Sequence, residues 1–458
     1  MRPRNVLATG SPNFTRVHRA SPAHASSRSP LARVAEVLGT FAGLGMTSFG
    51  GPIAHLSHFR ERCVRQRRWI DEAHYAQLVA YCHAMPGPTS SQVGFLLGWI
   101  RAGPAGAMAA WFAFTLPSAV VMVALAVALS SAADLPTSGW IAGMKAIVPA
   151  VVLYAVAGMA RTLCRGIGRV AIAMAAGGIT LAWNHPLEQL VAIVAGALLG
   201  AAMVRQADTG RLQASTHKDP LPDAPLYVTP LHDAPAEARV APVAPSAHPL
   251  HIGWTAAIAC AALLAVVLSV SLIAHSDRIT PYVRAGALVF GGGHVVLPLL
   301  EDDLVPAMVD QSRFLAGYGA AQAIPGPLFT VASYLGASAS VRGGDAAGTA
   351  ALWGAASMVA IFAPGLLLAA CAWPVWSSLS RVAGAMRALA GVQAAVTGLL
   401  AAALVESVVP ASVAPAGRAD LWLCAIAALA FAALRWGAPA WIVTVGGSLL
   451  GAAIAALR

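Results

Sequence analysis

Charge is scarce in this chain. Only 10% of its 458 residues are Asp, Glu, Lys or Arg, and lysine occurs at two positions, Lys145 and Lys218. A soluble body of this length needs far more polar surface than that. Neither lysine follows a glycine-rich run, so there is no Walker A loop and ATP is not the direct energy source within this chain. No Gly-x-Ser-x-Gly nucleophile elbow is present, and no enzyme activity is expected. The six cysteines (Cys63, Cys82, Cys164, Cys260, Cys371, Cys424) are scattered without a Cys-x-x-Cys pair, which implies neither a disulfide framework nor a metal or other cofactor. His55-x-x-His58-x-x-Glu61 has helical spacing, but with no companion cluster it is not read as a metal site. The net charge of +10 would suggest nucleic acid in a soluble protein. Here it reflects loops and tails, and no nucleic-acid partner is expected.

What is abundant is apolar sequence, with 58% hydrophobic residues. Runs such as 105–133 and 252–274 exceed the roughly 20 residues that cross a bilayer. They are continuous rather than alternating, which excludes a barrel. The fold class is therefore an all-α polytopic membrane protein whose partner is the lipid bilayer. Apolar segments fall at about 35–57, 74–101, 105–133, 139–161, 168–184 and 186–204, then at 252–274, 281–300, 314–341, 345–374, 384–408, 420–434 and 437–457. Residues 1–33, rich in Arg, Ser and Pro, form a disordered tail, 34–204 the first half, 205–251 a polar Pro-rich linker, and 252–458 an extra helix plus the second half.

The halves carry the same signals. Phe49-Gly50-Gly51-Pro52 precedes Pro86-Gly87-Pro88, and Phe290-Gly291-Gly292-Gly293 precedes Pro325-Gly326-Pro327, at separations of 35 and 33 residues from the second glycine. The register continues through Ser91 and Thr330, Trp111 and Trp353, Pro117 and Pro364, and Gly143-Met144-Lys145-Ala146 against Gly391-Val392-Gln393-Ala394. The segment 252–274 has no counterpart, and one extra crossing inverts whatever follows it. The loop after the first glycine motif holds Arg60, Arg62, Arg65, Arg67 and Arg68, whereas its counterpart holds Glu301, Asp302, Asp303 and Asp310. By the positive-inside rule the two loops face opposite sides. The halves are expected to form an inverted repeat with Pro/Gly-broken helices.

Unwound backbone is tolerated at membrane depth only where it lines a cavity, so matched breaks locate a substrate site. Proline suits a first helical turn, and the helices opened by Pro88 and Pro327 present free N–H groups beside Ser90, Ser91 and Thr330. Such starts suit an oxyanion. Each contributes about 0.3 to 2 kcal/mol, against several kcal/mol to desolvate each charge. A dianion therefore needs a full positive charge, and Lys145 is the candidate, since a lysine at a helix centre costs about 2.5 to 3.5 kcal/mol. Its repeat partner is Gln393. The candidate substrate-binding residues are thus Gly50, Gly51, Pro52, Pro86, Gly87, Pro88, Ser90, Ser91, Lys145, Gly291, Gly292, Gly293, Pro325, Gly326, Pro327, Thr330 and Gln393. Arg60, Arg101, Arg284 and Arg342 lie at segment ends and read as topology determinants.

These motifs, with His55 and Glu61, Met85, His294, Pro298 and Glu301, and Gln322-Ala323-Ile324 before the second break, resemble the chromate ion transporter family in its long two-domain form. The resemblance covers roughly 34–204 and 281–457. It implies efflux of chromate from the bacterial cytoplasm by a multi-pass protein of the inner membrane, with homologous halves of opposite orientation. Export of a dianion can run on the membrane potential, with proton exchange optional. A sulfate or related oxyanion permease is the alternative, and a membrane-bound chromate reductase a more distant one for lack of a flavin or metal site. An inverted repeat can build its site within one chain, so the sequence neither demands nor excludes a homodimer.

Overall fold

A computed structural model of the protein describes residues 29–130, 138–183, 188–204, 250–273, 278–290, 293–413 and 420–457. Among them all regular structure is helical. The first half runs through α1 (Pro30–Thr47), α2 (Gly51–Phe59, prolonged by a π-helical turn Arg60–Gln66), α3 (Glu72–Ala84), α4 (Thr89–Ser130), α5 (Gly139–Leu163), α6 (Ile167–Ala182) and α7 (Glu188–Met203). After α8 (Trp254–Ile273) come α9 (Thr280–Leu288), α10 (Val296–Leu304, entered by a 3-10 turn Gly293–Val295), α11 (Gln311–Ala323) and α12 (Val331–Arg342, entered by a 3-10 turn Leu328–Thr330). The chain closes with α13 (Ala347–Leu379), α14 (Ala383–Ala403), α15 (Val409–Val413), α16 (Leu421–Arg435) and α17 (Ala440–Leu457). Six of these stretches, in α4, α5, α8, α13, α14 with its extension, and α17, are long and apolar enough to cross a membrane.

The boundaries follow local chemistry. Pro30 occupies the first turn of α1 and Ser29 caps it, its Oγ accepting from Ala32 N at 3.2 Å. Residues 30–33, expected in the tail, are thus helical; the rest of that tail, and 205–249 of the linker, lie outside the described residues. The segment 35–57 is two helices, parted at Ser48 and at Gly50, whose φ is +97°. Asp71 and Asp310, each fifteen residues before a Pro-Gly-Pro, cap the helices that lead into the breaks, accepting from His74 N at 2.8 Å and Arg313 N at 2.9 Å. In α4 the helical path is interrupted at Ala102 and Gly103, and the two arms return on each other with Gly98 and Gly106 backbone to backbone.

The repeat is visible in the packing. Gly45, four residues before Phe49, meets the Phe114 carbonyl three residues before Pro117; Gly286, four before Phe290, meets the Ile361 carbonyl three before Pro364. One matched helix of each half then packs on the other half. α5 lies against α16 and α17, and its counterpart α14 lies against α6 and α7. Small residues permit the approach: Gly139 and Gly143 face Gly451 and Gly447, as Gly391 faces Gly196 and Gly200. Each half therefore clasps the other. By contrast α8 packs along α13 with most of its surface outward, Ile258, Leu263, Val266 and Val270 all being exposed, as befits a helix facing lipid.

Candidate functional site

The two Pro-Gly-Pro breaks adopt the same conformation, with φ of +118° at Gly87 and +113° at Gly326. An L side chain rarely takes that conformation, which is why glycine sits between the prolines. With proline on both sides, the glycine N–H is the only backbone donor in the triplet. Gly87 N donates to Val289 O at 2.7 Å, and Gly326 N donates to Ser48 O at 3.0 Å. Ser48 and Val289 each immediately precede the Phe-Gly-Gly of their own half. The break of one half is thus held by the glycine turn of the other.

A second exchange repeats the first. A Cβ on Gly87 would fall 2.8 Å from Gly365 Cα, and one on Gly326 would fall 2.6 Å from Ser118 Oγ. Gly365 and Ser118 are the residues just after the matched helix prolines Pro364 and Pro117. Gln92 ties the first break down further: its Nε2 donates to Pro86 O at 2.7 Å and to Gly365 O at 2.9 Å. Tyr81, near the end of α3, donates its hydroxyl to Ala369 O in the other half at 2.7 Å.

Buried hydroxyls stand around this crossing. Thr330 Oγ1 donates to Pro327 O at 2.9 Å, a local turn bond. Ser90 Oγ lies 3.2 Å from His55 Nδ1, and His55 Nε2 lies 3.2 Å from Ser48 O. Among the described residues Ser91 Oγ, 2% exposed, has no hydrogen-bond partner, and neither do Gln92 Oε1 and Thr115 Oγ1. Buried polar atoms are normally satisfied, so the Ser91 and Thr115 hydroxyls keep a donor that a hydrogen-bond acceptor could take.

The remaining candidates are distributed around this centre. Gly50 and Gly51, both with positive φ, turn the chain into α2, with Pro52 in its first turn. Gly293 begins the 3-10 turn beside Leu328, which follows the second break, while Gly291 and Gly292 lie outside the described residues. Gln393 reaches the first break's neighbourhood, donating to His83 O at 3.2 Å three residues before Pro86. Lys145 goes elsewhere. Its Nζ donates to Ser312 Oγ at 2.9 Å in the first turn of α11, thirteen residues before Pro325. Lys145 and the breaks are therefore not brought into contact. Each arginine assigned to topology has a protein partner: Arg60 bonds Glu72 at 2.7 Å, Arg101 bonds Glu36 at 2.6 Å, Arg284 pairs with Asp303, and Arg342 donates to Pro306 O at 3.1 Å. His55, His58 and Glu61 do not converge, and among the described residues no group of three metal-ligating side chains does.

Sequence reasoning missed Ser48, His55 and Gln92 as parts of this centre, and Ser118 and Gly365 as its walls. The last two carried a signal, a small residue directly after each repeated helix proline.

The model of the chromate transporter family matches residues 35–201 and 278–452. A probable chromate transport protein of Synechococcus elongatus is 25% identical over 80% of this chain and 82% of its own length. The chromate transport protein of Pseudomonas aeruginosa is 26% identical over 81% of this chain and 80% of its own. An uncharacterized transporter of the archaeon Methanocaldococcus jannaschii is 23% identical over 75% and 76%. No solved structure matches the chain significantly.

Proposed function

This chain belongs to the chromate transporter family, a family of membrane transporters rather than enzymes, and from that premise we propose that it exports chromate from the cytoplasm, its two halves lying in opposite orientations about the crossed breaks. The observation that carries the reading is the reciprocal seating of Pro86-Gly87-Pro88 and Pro325-Gly326-Pro327 on the opposite half, with a buried, unspent hydroxyl at Ser91. A site made jointly by both halves changes whenever one half rocks against the other, which is what alternating access requires.

The reciprocal contacts support a two-fold relation between the halves. The basic loop after the first glycine motif, the acidic loop after the second, and the extra helix α8 favour an axis in the membrane plane, hence opposite orientations. The helices on either side of the breaks support hairpins that enter and return: α3 and α11 have 13 residues each and α12 has 12, so each rises about 20 Å against a hydrocarbon core of about 30 Å.

Within this reading the oxyanion rests on the helix starts after Pro88 and Pro327, with Ser91 donating from its free hydroxyl and Thr330 and Ser90 beside it. Lys145, about 18 Å along α11 from the second break, attracts the dianion along its path rather than holding it. Export needs no chemical fuel, since a dianion leaving an inside-negative bacterial cell gains about 4.6 kcal/mol per 100 mV.

The test is uptake of labelled chromate by everted inner-membrane vesicles under an imposed lumen-positive potential, with sulfate as competitor. Potential-dependent chromate uptake that exceeds sulfate uptake is expected. Preference for sulfate reassigns the substrate, and absence of any oxyanion flux overturns the proposal.

A further inference from the structure

His55 was a motif residue without an assigned task, and its position suggests one. It is 1% exposed, on α2, between two equally buried partners: Ser48 at 0% and Ser90 at 4%. Its Nε2 meets Ser48 O at 3.2 Å. A carbonyl oxygen only accepts, so Nε2 carries the proton, and in the neutral ring Nδ1 accepts from the Ser90 hydroxyl, 3.2 Å away. Ser90 belongs to the helix opened by the first break, two residues past Pro88. Ser48 O is the same oxygen that receives Gly326 N–H from the second break at 3.0 Å. One imidazole therefore joins both breaks through a single shared carbonyl.

The surroundings fix that ring. It packs edge-on to Phe114, with centroids 5.2 Å apart. Ser48 is held at the end of α1 by its own N–H to Leu44 O at 2.9 Å, and its Oγ meets His58 Nδ1 at 3.1 Å. Among the described residues the second half shows no such brace. Its equivalent of Ser48 is Val289, without a hydroxyl, and His294 turns to Tyr318 OH at 2.8 Å within its own half.

We propose that His55 is a positioning residue that keeps the two breaks in register, so that both helix starts address one anion, and that this brace exists on the first-half side alone. The proposal rests on reading the crossed breaks as the oxyanion site. A Gln amide presents a donor and an acceptor on adjacent positions as the neutral imidazole does, whereas Leu presents neither, so His55→Gln and His55→Leu separate hydrogen bonding from packing.

The measurement is hydrogen exchange by mass spectrometry on the full-length protein in lipid nanodiscs, following a peptide across Pro325-Gly326-Pro327, where Gly326 is the only residue of the triplet with an amide hydrogen. Exchange at Gly326 is expected to accelerate about fivefold in His55→Leu, since one buried hydrogen bond is worth about 1 kcal/mol and its loss frees the acceptor's position. His55→Gln is expected to stay near wild type. In vesicles at matched protein level, the KM for chromate should rise about fivefold in His55→Leu and recover in His55→Gln, on the same estimate. Ser90→Ala, a milder change that cuts only the Nδ1 contact, should accelerate Gly326 exchange by a smaller factor. Unchanged Gly326 exchange in both His55→Leu and Ser90→Ala, or a His55→Gln variant indistinguishable from His55→Leu, overturns the role of His55. Exchange needs no anion, so a wild-type protein that moves no chromate sinks the oxyanion reading while the Gly326 ratio still decides the brace.

Discussion

The crossed breaks make an asymmetric prediction about two residues that the repeat makes equivalent. Alanine at Gly87 or Gly326 is forced into a left-handed conformation at φ of +118° or +113°, which costs about 1–3 kcal/mol. The walls then differ. At Gly87 the new methyl meets Gly365 Cα at 2.8 Å, backbone that has no side chain to move aside, so the break must shift and weaken its bond to Val289 O. That bond adds about 1 kcal/mol. A total of about 2–4 kcal/mol corresponds to roughly a 30-fold to 800-fold loss of the transport-competent arrangement. At Gly326 the methyl meets Ser118 Oγ at 2.6 Å, and that hydroxyl yields by rotating away from its acceptor, Thr115 O, at 2.9 Å. Ser118→Gly removes the obstacle altogether. It should therefore restore about fivefold of the flux lost in Gly326→Ala, the value of one hydrogen bond, and should do nothing for Gly87→Ala. The assay is initial-rate chromate uptake in everted vesicles at matched protein levels. A Gly87→Ala flux within twofold of wild type, or a Ser118→Gly change that worsens Gly326→Ala, would refute the crossed arrangement as the seat of transport.

Reporters fused after Arg68 and after Asp310 should report opposite sides of the membrane, the first cytoplasmic; the same side for both ends the inverted-repeat proposal. Lys145→Gln should lower chromate flux about twentyfold, since a unit charge about 18 Å from a dianion at an effective dielectric of about 20 is worth about 1.8 kcal/mol. Lys145→Arg should keep part of the flux and Lys218→Gln all of it, and equal rates for the two Gln variants would make Lys145 a structural anchor only. Gly391→Leu, which drives a side chain into the Gly196 and Gly200 backbone, should lower the Tm of the detergent-solubilised protein, overpacking of this kind costing about 1–3 kcal/mol; an unchanged Tm would show that α14 and α7 do not meet as described.

The candidate site was legible in part, and the line between the parts is physical. The breaks could be read because proline and glycine act on their own backbone, wherever the rest of the chain lies. Lys145 stood out because a charge in an apolar run is visible along one helix, but its partner Ser312 is 167 residues away, and the long side chain can turn towards either end of α11. Nothing in the spacing said which. For His55 the sequence displays only a helical spacing with His58 and Glu61, which is not read as a metal site and assigns it no task; that its two nitrogens serve two different helices depends on how α2 lies across α4 and the second break.

The sequence by itself determined the elements and their duplication: the apolar runs became helices, Asp71 and Asp310 capped matching helices, and two Pro-Gly-Pro triplets broke the chain at matching places. These are local consequences of backbone chemistry and of the length that lipid demands. Only the tertiary structure decided that the copies are interlocked, with α5 held by α16 and α17, α14 held by α6 and α7, and each glycine break bonded to the turn of the opposite half. A repeat in sequence fixes what each half contains but not whose groove it fills. The choice is made by small residues that let particular backbones approach, and by buried N–H groups that must find a carbonyl wherever the packing brings one.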